Sequence, residues 1–231
     1  DVSDGHGHSG QRNSLTSETR VGFANMLKLY FSKGSSALAA HILLEEVGAV
    51  YETEEISIPK GQHQTPEFLA VNSKGRVPVL DTPDGSLTES PAILEYIAAT
   101  HPDAGMIPDG AFDQARARSL CAYICATAHV AFAHKQRGIR WADSPQAIEA
   151  MAARVPRNLA ESAAFLESQL REGPWAMGQS YSFCDPYLFL MGRWLAATEH
   201  GLTPYPNLSA HSIAIKNRPA AQAAFEQQGL S

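Results

Sequence analysis

The 231 residues predict an α/β unit followed by an all-helical one. Three observations carry this. Strand and helix patterns alternate from Leu27 to Ala99 in the order β-α-β-α-β-β-α. Residues 102–110, rich in Pro, Gly and Asp, then interrupt the pattern. Beyond them, apolar residues recur at helical spacing to the C-terminus. We therefore expect a small mixed sheet flanked by helices in residues 26–102 and an all-helical unit in 111–231.

Residues 1–25 stand apart. They are polar, rich in Ser, Gly, Asn and Thr, and contain Gly5-His6-Gly7-His8. No basic segment leads into an apolar one, so they do not form a secretory signal. We read them as a tag or disordered leader ahead of Met26-Leu27-Lys28. His6 and His8 fit a flexible tail better than a metal site.

Each element has a local cause. Leu27 to Phe31 alternates as a strand does. A loop with Gly34 follows, then a helix from Ala37 to Val47 that stops at Gly48. Tyr51 to Ile58 reads as a second strand with imperfect alternation. Thr65-Pro66-Glu67 starts a short helix running through Val71. Val77 to Asp81 and Ser86 to Thr88 form a hairpin around Pro83-Asp84-Gly85. Pro91 to Ala99 is the next helix, with Ser90 as its N-cap. One long helix is expected from Phe112 to Arg137. Ser144-Pro145 begins another, which Pro156 should kink or break and Gly173-Pro174-Trp175 should end. Ser182-Phe183-Cys184-Asp185 reads as a capping box, with Tyr181 as a hydrophobic staple. Asn217-Arg218-Pro219 opens the last helix.

Composition narrows the function. The chain is 44% hydrophobic with net charge −6. That supports a real core and argues against nucleic-acid binding. No apolar run approaches the roughly 20 residues of a membrane span. Cys121, Cys125 and Cys184 form neither a CxxC pair nor a disulfide framework, which predicts a reducing cytoplasm and buried thiols. There is no phosphate loop and no HExxH, so no metal or nucleotide is implied.

The most informative stretch is Gly75-Arg76-Val77-Pro78-Val79-Leu80, followed by Glu89-Ser90-Pro91. A proline at the mouth of a strand suggests a special turn, with a cis bond as one form. Such a turn leaves the backbone groups of Val77 free. The helix start at Ser90-Pro91 favours a carboxylate. A small peptide with an acidic end fits this pair of features.

Those two motifs, at this spacing, resemble the glutathione site of the glutathione S-transferase family. The likeness runs from Met26 to the C-terminus and is strongest to the bacterial beta class. It implies a thioredoxin-like N-terminal domain, a homodimer, and a cleft near the domain boundary. It also implies that Val77-Pro78 supplies a cis-proline and backbone bonds to the cysteinyl part of glutathione. Glu89 would take the ammonium and Ser90 the carboxylate of the γ-glutamyl end. Lys60 and Arg76 would reach the glycyl end.

Glutathione must lose its thiol proton to become a good nucleophile. Lowering a thiol pKa by about two units requires about 2.7 kcal/mol of thiolate stabilisation. One hydrogen bond to a charged group supplies roughly 1.5–3 kcal/mol. Lys33-Gly34-Ser35-Ser36 offers two hydroxyls before a helix. Ser36 falls where beta-class members carry a cysteine, and Ser35 where delta-type and theta-type members carry an activating serine. Spacing does not decide between them, and either serves equally as a plain N-cap. Tyr30 is a third candidate, although a tyrosine there is more often packed under the sheet. Without a cysteine near Gly34, no mixed disulfide with glutathione forms at that position, which favours thiolate addition or substitution.

His129 matches a beta-class histidine that faces the cleft, with Val130 in place of the lysine that often follows. Cys125, His129, Phe132 and Gln136 share one helical face. His134, Lys135, Arg137, Arg140 and Trp141 form a basic rim, part of which suits an anionic substrate. The resulting expectation is a glutathione transferase that adds glutathione thiolate to small hydrophobic electrophiles. Two other readings stand beside it. One is a specialised glutathione-dependent lyase or isomerase, such as a dehalogenase or ether cleaver. The other is a non-catalytic glutathione-fold binding protein.

Overall fold

The computed structural model describes residues 26–199 and 201–230. The expectation for residues 1–25 lies outside the described residues. The N-terminal half holds strands β1 (Leu27–Phe31), β2 (Tyr51–Glu55), β3 (Val79–Thr82) and β4 (Gly85–Thr88) and helices α1 (Ala37–Glu46), α2 (Pro66–Val71) and α3 (Ser90–Thr100). The strands form one sheet in the order β2-β1-β3-β4. β1 runs parallel to β2 and antiparallel to β3, and β3 runs antiparallel to β4. This is the thioredoxin-like arrangement expected from the sequence.

Alternation along β1 sorts its side chains to two faces. Leu27, Leu29 and Phe31 join the main core beneath α1 and α3. Tyr30 points the other way, into a small cluster with Ile56, Phe68 and Val79. Its ring meets Phe68 edge-on at 6.0 Å. β2 is shorter than expected, because after Ile56 donates to the Phe31 carbonyl the chain turns at Ser57–Gln62. β3 begins two residues later than expected, since the Val77–Pro78 bond is cis and precedes the ladder.

The C-terminal half is helical: α4 (Ala111–Tyr123), a π-helical turn (Ile124–Ala128), α5 (His129–Arg137), α6 (Pro145–Gln169), α7 (Asp185–Ala196), α8 (Pro206–Lys216) and α9 (Pro219–Gln228). The single helix expected over 112–137 therefore carries a π-turn in its middle. Pro156 does not break α6, which runs unbroken across it. Its ring is exposed, so water can take the carbonyl that proline leaves unpaired. Val155, Leu159, Ala163 and Leu166 keep one buried stripe on both sides. None of the described helices is long and apolar enough to cross a membrane.

The expected capping box forms in altered form. Ser182 N–H donates to Asp185 Oδ2 at 2.7 Å. The Ser182 hydroxyl returns to the same carboxylate rather than to the helix backbone. Asp185 Oδ1 accepts from Ala176 N–H at 2.7 Å and faces His211 Nε2 at 2.9 Å. This fully buried carboxylate joins the loop before α7 to α8 and α7 itself. α7 is the axis of the helical half, with ten of its residues buried.

The two halves are joined by a polar seam. His41 on α1 faces Gln227 Oε1 at 3.0 Å and receives Gln228 Nε2 at 2.9 Å. Gln228 Oε1 in turn accepts from Gly34 N–H at 3.2 Å. Burial holds the His41 pKa below its ordinary value, so the ring is neutral. Arg218 grips Glu46 with two nitrogens and lies over the Tyr181 ring.

Asp185→Ala leaves two buried N–H groups unpaired and is expected to cost about 3–5 kcal/mol. Urea unfolding checks this, and a loss under about 1 kcal/mol would contradict the assigned role.

Candidate active site at the domain seam

One cleft brings together the loop before α1, the turn before β3, the start of α3, the π-turn and α5. It gathers Ser35, Ser36, Arg76, Val77, Pro78, Glu89, Ser90 and His129 from the sequence-derived set. Lys60 is exposed and lies outside it. Tyr30 is also outside, held in its cluster on the far face of the sheet.

The two serines differ. Ser35 Oγ accepts from Ala37 N–H at 3.3 Å and so acts as a local cap. Ser36 occupies the N-cap position of α1 but makes no side-chain capping bond. It is buried, only 7% exposed. Its hydroxyl has no partner among the described residues, yet it borders the cleft. That hydroxyl is open to the cleft, where a ligand can accept from it.

Gly75 prepares the opposite wall. Its φ is +59°, and any side chain there would strike the Gln64 amide and the His63 carbonyl. Asn72 Nδ2 donates to the Arg76 carbonyl at 2.7 Å, fixing the turn that leads into Val77. Among the described residues, Val77 N–H and C=O have no hydrogen-bond partner. They form the free backbone edge that the Val-Pro turn predicts.

The start of α3 departs from expectation. Ser90 is its first residue, and Glu89 holds the cap position. Glu89 has φ +72°, the one positive value among described non-glycine residues. Such a backbone costs on the order of 1–3 kcal/mol and tends to persist where a site needs it. The Glu89 carboxylate binds Lys74 Nζ at 2.6 Å, and Lys74 also donates to Thr88 Oγ1 at 2.7 Å. Sequence reading missed Lys74, although it directly precedes the Gly75-Arg76 motif.

The helical wall also departs from its expected face. The cleft side runs through Cys125, His129, Ala133 and Arg137, while Gln136 does not line it. Phe132 turns away and stacks on Trp194 at 4.7 Å. The π-turn over Ile124–Ala128 changes the phase between Cys125 and the residues of α5, while within α5 the cleft follows the i, i+4 row from His129. Cys125 was expected to be buried packing, but it is only half-buried and borders the cleft. Burial pushes its thiol pKa up, so it is no thiolate. Cys121 is fully buried, as expected, and so is Cys184.

Tyr187, another residue missed from sequence, lies hidden in the apolar run of α7. Its hydroxyl faces His129 Nδ1 at 3.4 Å and stands beside Ser90 and Cys125. Burial raises the Tyr187 pKa far above the usual value, so the phenol keeps its proton. The His129 ring packs on Trp194 at 4.8 Å. Its pKa falls to about 4, first through burial and then through Arg137, Arg76 and Arg140. His129 is therefore neutral at physiological pH.

The unfolded chain takes up the His129 proton near 6.5, the folded chain only near 4. This histidine thus stabilises the fold fully above the higher value. The contribution shrinks as pH falls through the interval. An NMR titration should show a His129 midpoint near 4 that rises in Arg137→Gln. A midpoint at the ordinary histidine value would contradict the electrostatic picture.

Comparison with known proteins places the chain in a family. The family described as "Glutathione S-transferase, N-terminal domain" matches residues 26–99. A glutathione transferase homologue from Sulfitobacter, solved with bound glutathione, is 37% identical. The match covers 89% of this chain and 99% of that one, with TM-score 0.85. A bacterial beta class glutathione S-transferase from Sphingomonas chungbukensis is 32% identical over 88% of this chain and 100% of that one, with TM-score 0.76. Glutathione S-transferase GstA of Escherichia coli O157:H7 is 28% identical, covering 88% of this chain and 100% of its own. The free Val77 edge, the cis-proline and the acid–serine pair at the head of α3 thus sit in a chain that belongs to the glutathione S-transferase family.

Proposed function

We propose that this glutathione transferase uses Ser36 to hold glutathione as its thiolate, for attack on a small electrophile against α5. The observation that carries this is the unpartnered Ser36 hydroxyl, at the N-terminus of α1, in the same cleft as the free Val77 edge. In this reading the cysteinyl backbone of glutathione pairs with Val77 N–H and C=O. The γ-glutamyl ammonium takes the place of Lys74 Nζ on Glu89. Its carboxylate meets the Ser90 hydroxyl and the first turn of α3, where the helix dipole favours negative charge. Arg76 meets the glycyl carboxylate. Lys60 has no part in the reading, because it is exposed away from the cleft.

The thiol proton leaves to solvent, and the thiolate accepts from the Ser36 hydroxyl. The α1 N-terminus adds its partial positive charge. Ser35 supports the arrangement: its oxygen already accepts an N–H, which polarises its own proton. Ser36 replaces the cysteine expected from beta-class resemblance, so the chemistry is addition or displacement rather than disulfide exchange. Neutral His129 is available to hydrogen-bond a leaving group or developing oxyanion. Family resemblance supports a homodimer as the working form.

Ser36→Ala should lower kcat/KM at neutral pH by roughly 10–100-fold, the worth of one hydrogen bond to a charged group. Ser35→Ala should do less, and glutathione affinity should change little in either. Steady-state kinetics with a chromogenic aryl halide, with product identified by mass, checks this. Wild-type kcat/KM in both single variants and in the double variant would overturn the assignment.

A further inference from the structure

We infer that the cleft wall facing bound glutathione is built for an anionic electrophile, whose carboxylate is gripped by Arg137 and Arg140 beside Trp141. This deepens the transferase reading and rests on it. Arg118, Arg157, Arg171 and Arg218 each pair with a carboxylate of the fold. Arg76, Arg137 and Arg140 line one cleft, and none of them has a carboxylate partner among the described residues. Arg137 is half-buried. A guanidinium with no carboxylate partner at the edge of a cleft is free to take an anionic ligand through two N–H groups.

The segment is also held in place. Gly138 sits so close to α6 that an added Cβ would lie 2.9 Å from Ile148 Cγ2. A side chain is excluded at that point, where the chain enters the turn Gly138–Arg140, and both arginines come from one short stretch. Trp141, 46% exposed, is met edge-on by the His134 ring at 4.5 Å. Val130 and Ala133 give the same wall an apolar floor. Burial, and then repulsion from Arg76, hold Arg137 and Arg140 below the ordinary guanidinium value, which marks the local shortage of negative charge.

Glutathione does not exhaust these cations. Its glycyl carboxylate is met by Arg76, and its γ-glutamyl group is internally neutral. The thiolate lies toward Ser36 on the other wall. Two guanidiniums and an indole face remain. A flat acid with an electrophilic carbon satisfies both, whereas a purely hydrophobic electrophile leaves the arginines bare.

A matched, unreactive pair tests this: para-nitrobenzoate and para-nitrobenzamide, alike in shape and different in charge. Each is titrated calorimetrically into the full chain, with and without saturating glutathione. The benzoate should bind at least about tenfold tighter. In Arg137→Gln and Arg140→Gln the gap should shrink to about threefold or less, with glutathione affinity unchanged within the same margin. Equal affinity for the two probes in the wild type overturns the proposal, and needs no variant to fold. So does a gap that survives both substitutions. Loss of glutathione affinity in step with the gap also overturns it, because the arginines then serve the glycyl carboxylate. Failure of the wild type to bind glutathione sinks the transferase reading separately, and the probe pair still judges the arginine site.

Discussion

The polar seam between α1 and α9 sets the geometry on which the cleft depends. The cleft has one wall from the sheet domain and one from the helices, so its shape is only as fixed as their joint. His41 accepts from Gln228 at one ring nitrogen and faces Gln227 with the other. Those two contacts require a neutral ring with its proton on Nε2, which agrees with the lowered pKa. Gln228 then spends its remaining oxygen on Gly34 N–H. The last helix of the chain therefore steadies the loop that carries Ser35 and Ser36. Apolar burial fills the interface, but these directional bonds select one register among many that burial alone would permit.

Electrostatics then divides the cleft into two regions. Near α3, Glu89 and Lys74 neutralise each other, so a zwitterionic ligand end can replace one partner without stranding a charge. Near α5, burial first and then the unpaired cations depress the His129 pKa. A buried histidine is thereby kept as a hydrogen-bonding group rather than a charge. The same fold also holds its thiols inactive: burial raises Cys121, Cys125 and Cys184 alike.

Local signals carried much of the fold. Strand alternation, Gly48, the Pro83-Asp84-Gly85 turn and the Thr65-Pro66 start act within a few residues, so the β-α-β-α-β-β-α order was readable. Features set by tertiary packing were not. Pro156 reads as a break, yet α6 continues because its exposed face leaves the freed carbonyl to water. The π-turn has no residue signature here, and packing on Trp194 takes Phe132 off the predicted face. In the site, the turn at Val77-Pro78 was legible because a proline at a strand mouth demands one, whereas the positive φ of Glu89 was not, since nothing in a glutamate signals it. Lys74 and Tyr187 were not, since a loop lysine and a tyrosine in an apolar helix look ordinary until the fold brings their partners to them.

The central claim is that this cleft stabilises glutathione as a thiolate. The most direct test follows the ultraviolet absorbance of the thiolate across pH on protein saturated with glutathione, with binding measured calorimetrically in the same samples. The account predicts saturable binding and a bound thiol pKa about two units below that of free glutathione. Binding with an unchanged thiol pKa would contradict it, and so would no binding at millimolar glutathione.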